Sequence, residues 1–430
     1  MQDPVRLLEG VRIVAFTQFL LGPAAVQYLA DMGADVVKIE EPTSGPHERR
    51  WSGAGSFVNG VSTFFMLAHR NVRSLALDLK HPEGRQVAKD LCRQADVVVV
   101  NFRPGVMEKL GLGYEELIRD NPGLVFACAS GYGSESPYRN LPGQDLLLQA
   151  ATGLAAATGP AGGFPVAAGA AVVDQHAAAL LAMGVLGALY QRVRNGQGQR
   201  VEVTMVQAGL DLQAEPFLYH LNGAVVERPK VPLASAYHEA PYGFYKVQDG
   251  YVALSLSPLL MISAALGDPP ELAPYLDPDV AFIKREEIYS ALSPLLAGFT
   301  KASLLDLFRR HGIWCSPVND YDAVMNDPLV THLAPVEEID HPQAGRVRLL
   351  RHPISYSSGR AGARRLPPSL GQHTDEVLGE LGYDAKRIEA LRSSGAVGGA
   401  HHPPGREEVR ETLVEHSRHQ EVPTTQEAQS

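Results

Sequence analysis

Strand and helix signals alternate at short spacing through the first 135 residues, and that alternation constrains the fold more than any other feature of the chain. Val11 to Phe16 is a short β-rich run ending in the loop Thr17 to Leu21, and Gly22-Pro23 then opens a helical stretch that stops near Met32-Gly33. Ala34 to Glu40 reads as the next strand, with Arg73 to Asp78, Asp96 to Asn101 and Leu124 to Ser130 as three more. His81 to Gln94 carries a helical pattern with Pro82 in its first turn, where a missing N–H costs nothing. Strands separated by helices imply an α/β fold: a parallel sheet covered by helices, with ligands at the carboxyl ends of its strands. The loops at those ends are Thr17 to Leu21, Glu41 to Arg49, Phe102 to Gly105 and Gly131 to Pro142. No G-x-G-x-x-G follows the first strand, which disfavours a nicotinamide dehydrogenase.

Further along, Gln175 to Arg194 is apolar nearly all round and predicts a buried helix, closed by Arg192, Arg194 and Gly196. A strand, Arg200 to Thr204, follows, and a Tyr-rich segment then reads as a hairpin around Asp249-Gly250. A chain of 430 residues exceeds one ordinary core, so two lobes are expected. The large lobe takes residues 1–204 and 340–395, and the small lobe 225–325. The stretches 205–224 and 326–339 link them, and 396–430 is expected to be a disordered tail.

The formal net charge of −10 and the lack of a basic run argue against a nucleic-acid partner. Uninterrupted apolar stretches fall short of the roughly 20 residues of a membrane helix, and MQDPVRLLEG lacks the plan of a secretion signal. Cys92, Cys128 and Cys315 form no C-x-x-C pair, so neither a disulfide framework nor a metal site is expected and a reducing cytoplasm fits.

Asp174 is the leading catalytic candidate, because it ends the small-residue stretch GGFPVAAGAAVVD just before the apolar helix. Aspartate is among the best N-caps, and that role alone accounts for many such residues. The same place suits chemistry: a carboxylate at a helix N-terminus is expected to stay ionised, and an ionised carboxylate can attack an activated acyl carbon. From the residues alone, both readings stand.

Six segments together resemble the class III CoA-transferases, the group that includes formyl-CoA:oxalate and carnitine CoA-transferases and the α-methylacyl-CoA racemases. They are LEGVRIVAFTQFLLGPAAVQYLADMGADVVKIEEP, NVRSLALDLKHPEGR, ADVVVVNFRPGVMEKLGL, PGQDLLLQAATGLAAATG, the Asp174 segment with ALYQRVRNGQGQRVEVTM, and GQHTDEVLGELGY. The resemblance runs over roughly residues 8 to 393 and is weakest from 205 to 340. It implies a Rossmann-like large domain with a smaller α+β domain, an interlocked homodimer, and Asp174 as a covalent relay between an acyl-CoA and a small carboxylic acid. Coenzyme A is then part of the substrate, and no cofactor is bound permanently.

The same resemblance implies that Phe19, Leu20 and Leu21 form a first CoA-contacting loop, Leu77 and Lys80 a second contact, and Asn101, Phe102, Arg103 and Lys109 a third. Arg103 and Lys80 suit phosphates, although surface cations are as often merely solvated. Glu41 stands where relatives carry a basic residue after the second strand, and Leu20 where oxalate-using relatives carry a glutamine, which implies a less polar acid pair. The glycine-rich loop of relatives has no clear match, Pro241 to Gly243 being nearest, so Gly243 is taken as substrate-orienting. Asp145 either orients substrate or caps the helix that follows it. In the racemase branch a histidine precedes this aspartate, and here Gln144 cannot carry a proton, which favours transfer over racemisation. His176 and His238 are possible substitutes for that histidine. A racemase-type isomerase and a non-catalytic CoA-ester binding protein remain the alternatives.

Overall fold

Six strands, four of them almost wholly buried and the last (at one edge) with exposed polar side chains at Arg200 and Glu202, form one parallel sheet in the computed structural model, which describes residues 5–398. They are β1 (Arg12–Phe16), β2 (Asp35–Glu40), β3 (Val72–Ala76), β4 (Val97–Val100), β5 (Val125–Ser130) and β6 (Gln199–Thr204). Their order is β3-β2-β1-β4-β5-β6, every pairing is parallel, and β1 and β4 flank the switch point of a doubly wound sheet. Parallel strands are covered on both faces, which is why β4 is four consecutive valines, all buried. Each buried valine contributes about 1.5 kcal/mol or more from desolvation.

Helix α1 (Leu21–Asp31) follows β1, and α2 (Pro82–Arg93) follows β3, within two residues of the expected bounds. Gly22 is required where α1 starts, since a Cβ there would lie 2.7 Å from Asn101 Cγ and 2.9 Å from Thr17 Cβ. The connection from β5 to β6 passes through α3 (Asp145–Ala151) and the 24-residue α4 (Val172–Asn195). The expected all-round burial of α4 is corrected. Ala177, Leu181, Val185 and Ala188 make one buried stripe, whereas Met183, Tyr190 and Val193 are 62%, 69% and 84% exposed. By length and composition alone α4 is also long and apolar enough to cross a membrane, contrary to the expectation from uninterrupted apolar runs, since Asp174, Gln175 and His176 interrupt only its start.

The chain divides into two compact units. One holds residues up to Pro142, Ala177–Thr204 and those from Pro335 onward; the other holds Gly143–His176 and Met205–Ala334. The division therefore differs from the expected lobes: residues 143–176, with Asp145 and Asp174, group with the second unit. The expected linker 205–224 is helical in Met205–Asp211 (α5) and Ala214–Leu221. The second unit has its own core and a three-stranded antiparallel sheet, β7 (Gly243–Val247), β8 (Gly250–Leu254) and β9 (Cys315–Pro317), in the order β9-β8-β7. Its β7-β8 hairpin turns through Gln248-Asp249, one residue earlier than the expected Asp249-Gly250, because Gly250 already pairs with Val247. Of the expected tail, Ala396 and Val397 are buried against the sheet unit, and Val397 bridges Leu77; 399–430 lies outside the described residues.

Candidate active site

Asp174 lies in the first turn of α4, and the groups around it come from its own unit. The chain there is GGFPVAAGAAVVD, whose small side chains let α3 approach the start of α4. Asp145, in the first turn of α3, does not cap α3. Its Oδ1 accepts the backbone N–H of Val173 at 2.8 Å and of Asp174 at 3.1 Å, so it satisfies the open donors of α4. Gln149, one turn further along α3 and buried, donates to Asp145 Oδ2 at 2.6 Å and to the Ala170 carbonyl at 3.4 Å. The Gln149 side-chain Oε1 accepts the N–H of Ala168 at 2.8 Å. One amide thus orients both the capping carboxylate and the backbone that leads into α4.

This geometry overturns the expectation that Asp174 simply stays ionised. Burial, and then the negative charge of Asp145, push its carboxyl up to about 7. The amide donors that could have held Asp174 charged are taken by Asp145. The result is a carboxyl that exchanges its proton near neutrality beside a second carboxylate.

The two histidines weighed as proton carriers are engaged elsewhere. His176 Nε2 lies 2.7 Å from Asp211 Oδ2 on α5, and a position two residues after Asp174 faces another side of the helix. His238 Nδ1 lies 2.7 Å from Ser235 Oγ, within a local turn. Gln144 is exposed and precedes α3 without a side-chain cap bond. Gly243 sits in β7, where a Cβ would come 2.9 Å from the Pro232 carbonyl; close packing already accounts for this glycine.

The residues expected to meet coenzyme A lie in the sheet unit. Leu20, Leu21 and Leu77 are buried, so the side chain of Leu20 does not set the polarity of an open site, and Phe19 is the exposed member of its loop. Asn101 clamps that loop: its Oδ1 accepts the N–H of Gln18 at 2.8 Å and its Nδ2 donates to the Gln18 carbonyl at 2.8 Å. Glu41 accepts from the backbone of Thr43 and Ser44, a turn-forming role. Lys80 is exposed.

Phe102, Arg103 and Lys109 line a cavity of about 490 Å3 beside the carboxyl halves of β4 and β5. Sequence reasoning missed Arg139, which lines the same cavity from the Gly131 to Pro142 loop. Its signal was its place in a loop after a strand's carboxyl end. The side chains of Arg103, Lys109 and Arg139 make no hydrogen bond or ion pair among the described residues.

A doubly wound parallel sheet, a cavity with Arg103, Lys109 and Arg139 in its lining, and a perturbed carboxyl opening a long helix fit the site of an α/β enzyme. The chain belongs to the CoA-transferase family III, whose model matches residues 8–374, and it is an enzyme of that class. It is 34% identical over 408 residues to an acyl-CoA transferase of Fusarium pseudograminearum, covering 91% of this chain and 88% of that one. It is 32% identical over 403 residues to the mouse succinyl-CoA:glutarate CoA-transferase, covering 92% and 91%. The solved structure of the Mycobacterium tuberculosis protein Rv3272 superposes with a TM-score of 0.76 at 30% identity, covering 87% of this chain and all of that one.

Proposed function

We propose that this enzyme transfers coenzyme A from an acyl-CoA to a free carboxylic acid, with Asp174 as the covalent relay. The observation that carries this reading is the pairing of Asp174 with Asp145 at the start of α4. A carboxyl titrating near 7 is ionised in about half the molecules at neutral pH and is more nucleophilic than an ordinary carboxylate. Acylation removes its charge, so the repulsion from Asp145 that raises its pKa also favours the acyl-enzyme. In the first step the Asp174 carboxylate attacks the thioester carbonyl and expels the CoA thiolate, leaving a mixed anhydride. The thiolate then attacks the aspartyl carbonyl, expels the donor acid and forms an aspartyl-CoA thioester. The incoming carboxylate attacks that thioester and releases the thiolate again, which takes the new acyl group and restores Asp174.

Arg103, Lys109 and Arg139 fit the phosphates of coenzyme A, because three unpaired cations line one cavity. The mouse relative acts on succinyl-CoA and glutarate, which supports dicarboxylic acids as substrates here. A clear preference for oxalate over longer dicarboxylates in a turnover panel would remove that part. The three cysteines are unpaired, which supports a cytoplasmic site of action, and the formal net charge of −10 argues against a nucleic-acid partner. The exposed apolar side chains of α4 support a homodimer, and a monomer in sedimentation at micromolar concentration would count against it.

Trapping tests the relay directly. The protein is incubated with a panel of acyl-CoAs, quenched with hydroxylamine and digested, and the Asp174 peptide is weighed. A hydroxamate on Asp174 that disappears in Asp174→Asn supports the relay; no adduct with any bound donor removes it. A carboxyl titrating near 7 would also suit a racemase-type isomerase. That reading requires solvent exchange of the α-proton of a 2-methylacyl-CoA, and Gln144 supplies no second proton carrier.

A further inference from the structure

Beneath the first loop lie three buried ionisable side chains with no part in the relay: Lys38, Glu48 and His69. The ammonium of Lys38 has three protons and three acceptors, the Thr17 carbonyl at 2.9 Å, Glu48 Oε1 at 3.0 Å and His69 Nε2 at 2.7 Å. His69 Nδ1 lies 2.7 Å from the Phe65 carbonyl, which can only accept. The ring proton is therefore on Nδ1, and Nε2 keeps the lone pair that receives Lys38. The second oxygen of Glu48 accepts the backbone N–H of Phe19 at 3.1 Å.

These contacts converge on a strained stretch of backbone. Phe19 has a φ of 60°, in the left-handed region that bulky residues avoid. The residue is 42% exposed, and its ring lies 5.5 Å from the ring of His47. Lys38 holds the residue two before it, Asn101 holds Gln18, and Glu48 holds Phe19 itself. A buried ion pair is a poor device for stability, because well-packed apolar residues of similar volume do as well. What such a pair does supply is direction: fixed hydrogen bonds that select one backbone form.

We propose that Lys38, Glu48 and His69 are positioning residues for the acyl-CoA site, holding Thr17 to Phe19 in the strained form that receives the coenzyme. This rests on the reading above that the Phe19 loop meets the CoA ester.

The test replaces the pair together, Lys38→Met with Glu48→Leu, so that no lone charge is left buried. The expected variant melts within about 5 °C of the parent. Its Kd for free coenzyme A, measured by calorimetry, rises about tenfold while kcat at saturating acyl-CoA stays within about twofold. In a Phe19→Gly background the backbone adopts a positive φ unaided, so the same replacement is expected to shift Kd by less than about threefold. Parent-like binding by the paired variant overturns the proposal, as does an equal loss in both backgrounds. If the paired variant does not fold, Glu48→Gln is carried through the same two backgrounds and read in the same way. A parent protein that binds no coenzyme A overturns the CoA reading along with the proposal. A parent that binds coenzyme A but transfers none places the fault in the relay alone, and the binding comparison still decides the trio.

Discussion

Asp145 Oδ1 accepts the backbone N–H of Asp174 at 3.1 Å, so one carboxylate stabilises the helix that presents a second one while opposing its ionisation. The two effects have opposite signs for Asp174. Capping anchors its backbone, and the Asp145 charge raises the cost of ionising its side chain.

Asp145→Asn keeps an acceptor for the two N–H groups and removes the charge. The carboxyl of Asp174 then falls below about 7, since only burial still raises it. The acid limb of the kcat/KM profile is expected to move to lower pH, with a stability loss of about 1 kcal/mol from the weaker cap. A rate profile from pH 4 to 9 checks this, and an unmoved limb would mean that Asp145 does not tune Asp174.

Asp174→Asn is expected to abolish turnover and yet stabilise the fold at alkaline pH. The folded pKa of Asp174 lies above its ordinary value of 3.8, so the folded state holds the proton more tightly than the unfolded one. Stability from this group is complete below about pH 4 and is lost as pH rises through 7. The neutral asparagine does not suffer that loss, so denaturant titrations should show a gain of about 4 kcal/mol at pH 8 and less than about 1 kcal/mol at pH 4.

Arg103→Ala, Lys109→Ala and Arg139→Ala are each expected to weaken acyl-CoA binding about tenfold, leaving kcat within about twofold. The loss should shrink at high salt, where screening already weakens the parent. Arg139 is the informative member, because only the cavity brings it beside the other two. Unchanged KM in Arg139→Ala would take it out of the site.

Gln149→Leu fills the same space but orphans Asp145 Oδ2 and the N–H of Ala168. A loss of about 1–3 kcal/mol in stability is expected, with kcat reduced more than KM is raised. Equal changes in both parameters would point to loosening of the whole unit instead.

Much of this was legible from local pattern. The β-branched runs, the proline opening α2 and the basic last turn of α4 place strands and helices to within about three residues. Asp174 could be singled out because the feature that marks it, a small-residue stretch running into an apolar helix, is continuous along the chain.

What the sequence could not decide depends on partners far apart in number. Asp145 caps a helix whose first bonded N–H is 28 residues away, a partner that neither sequence reading of Asp145, orienting substrate or capping the helix directly after it, could supply. The burial of Leu20 emerges only from the fold, and α4 reads as fully buried until its exposed side is seen. The direction of the Asp174 pKa follows the same rule: sequence shows a carboxyl at a helix start, where the dipole favours charge. Tertiary structure places Asp145 on the donors and surrounds the carboxyl with protein, and burial with a like charge outweighs the dipole. Local propensity and periodicity are properties of neighbours along the chain and can be read there. Burial and charge pairing exist only once the fold has brought distant residues together.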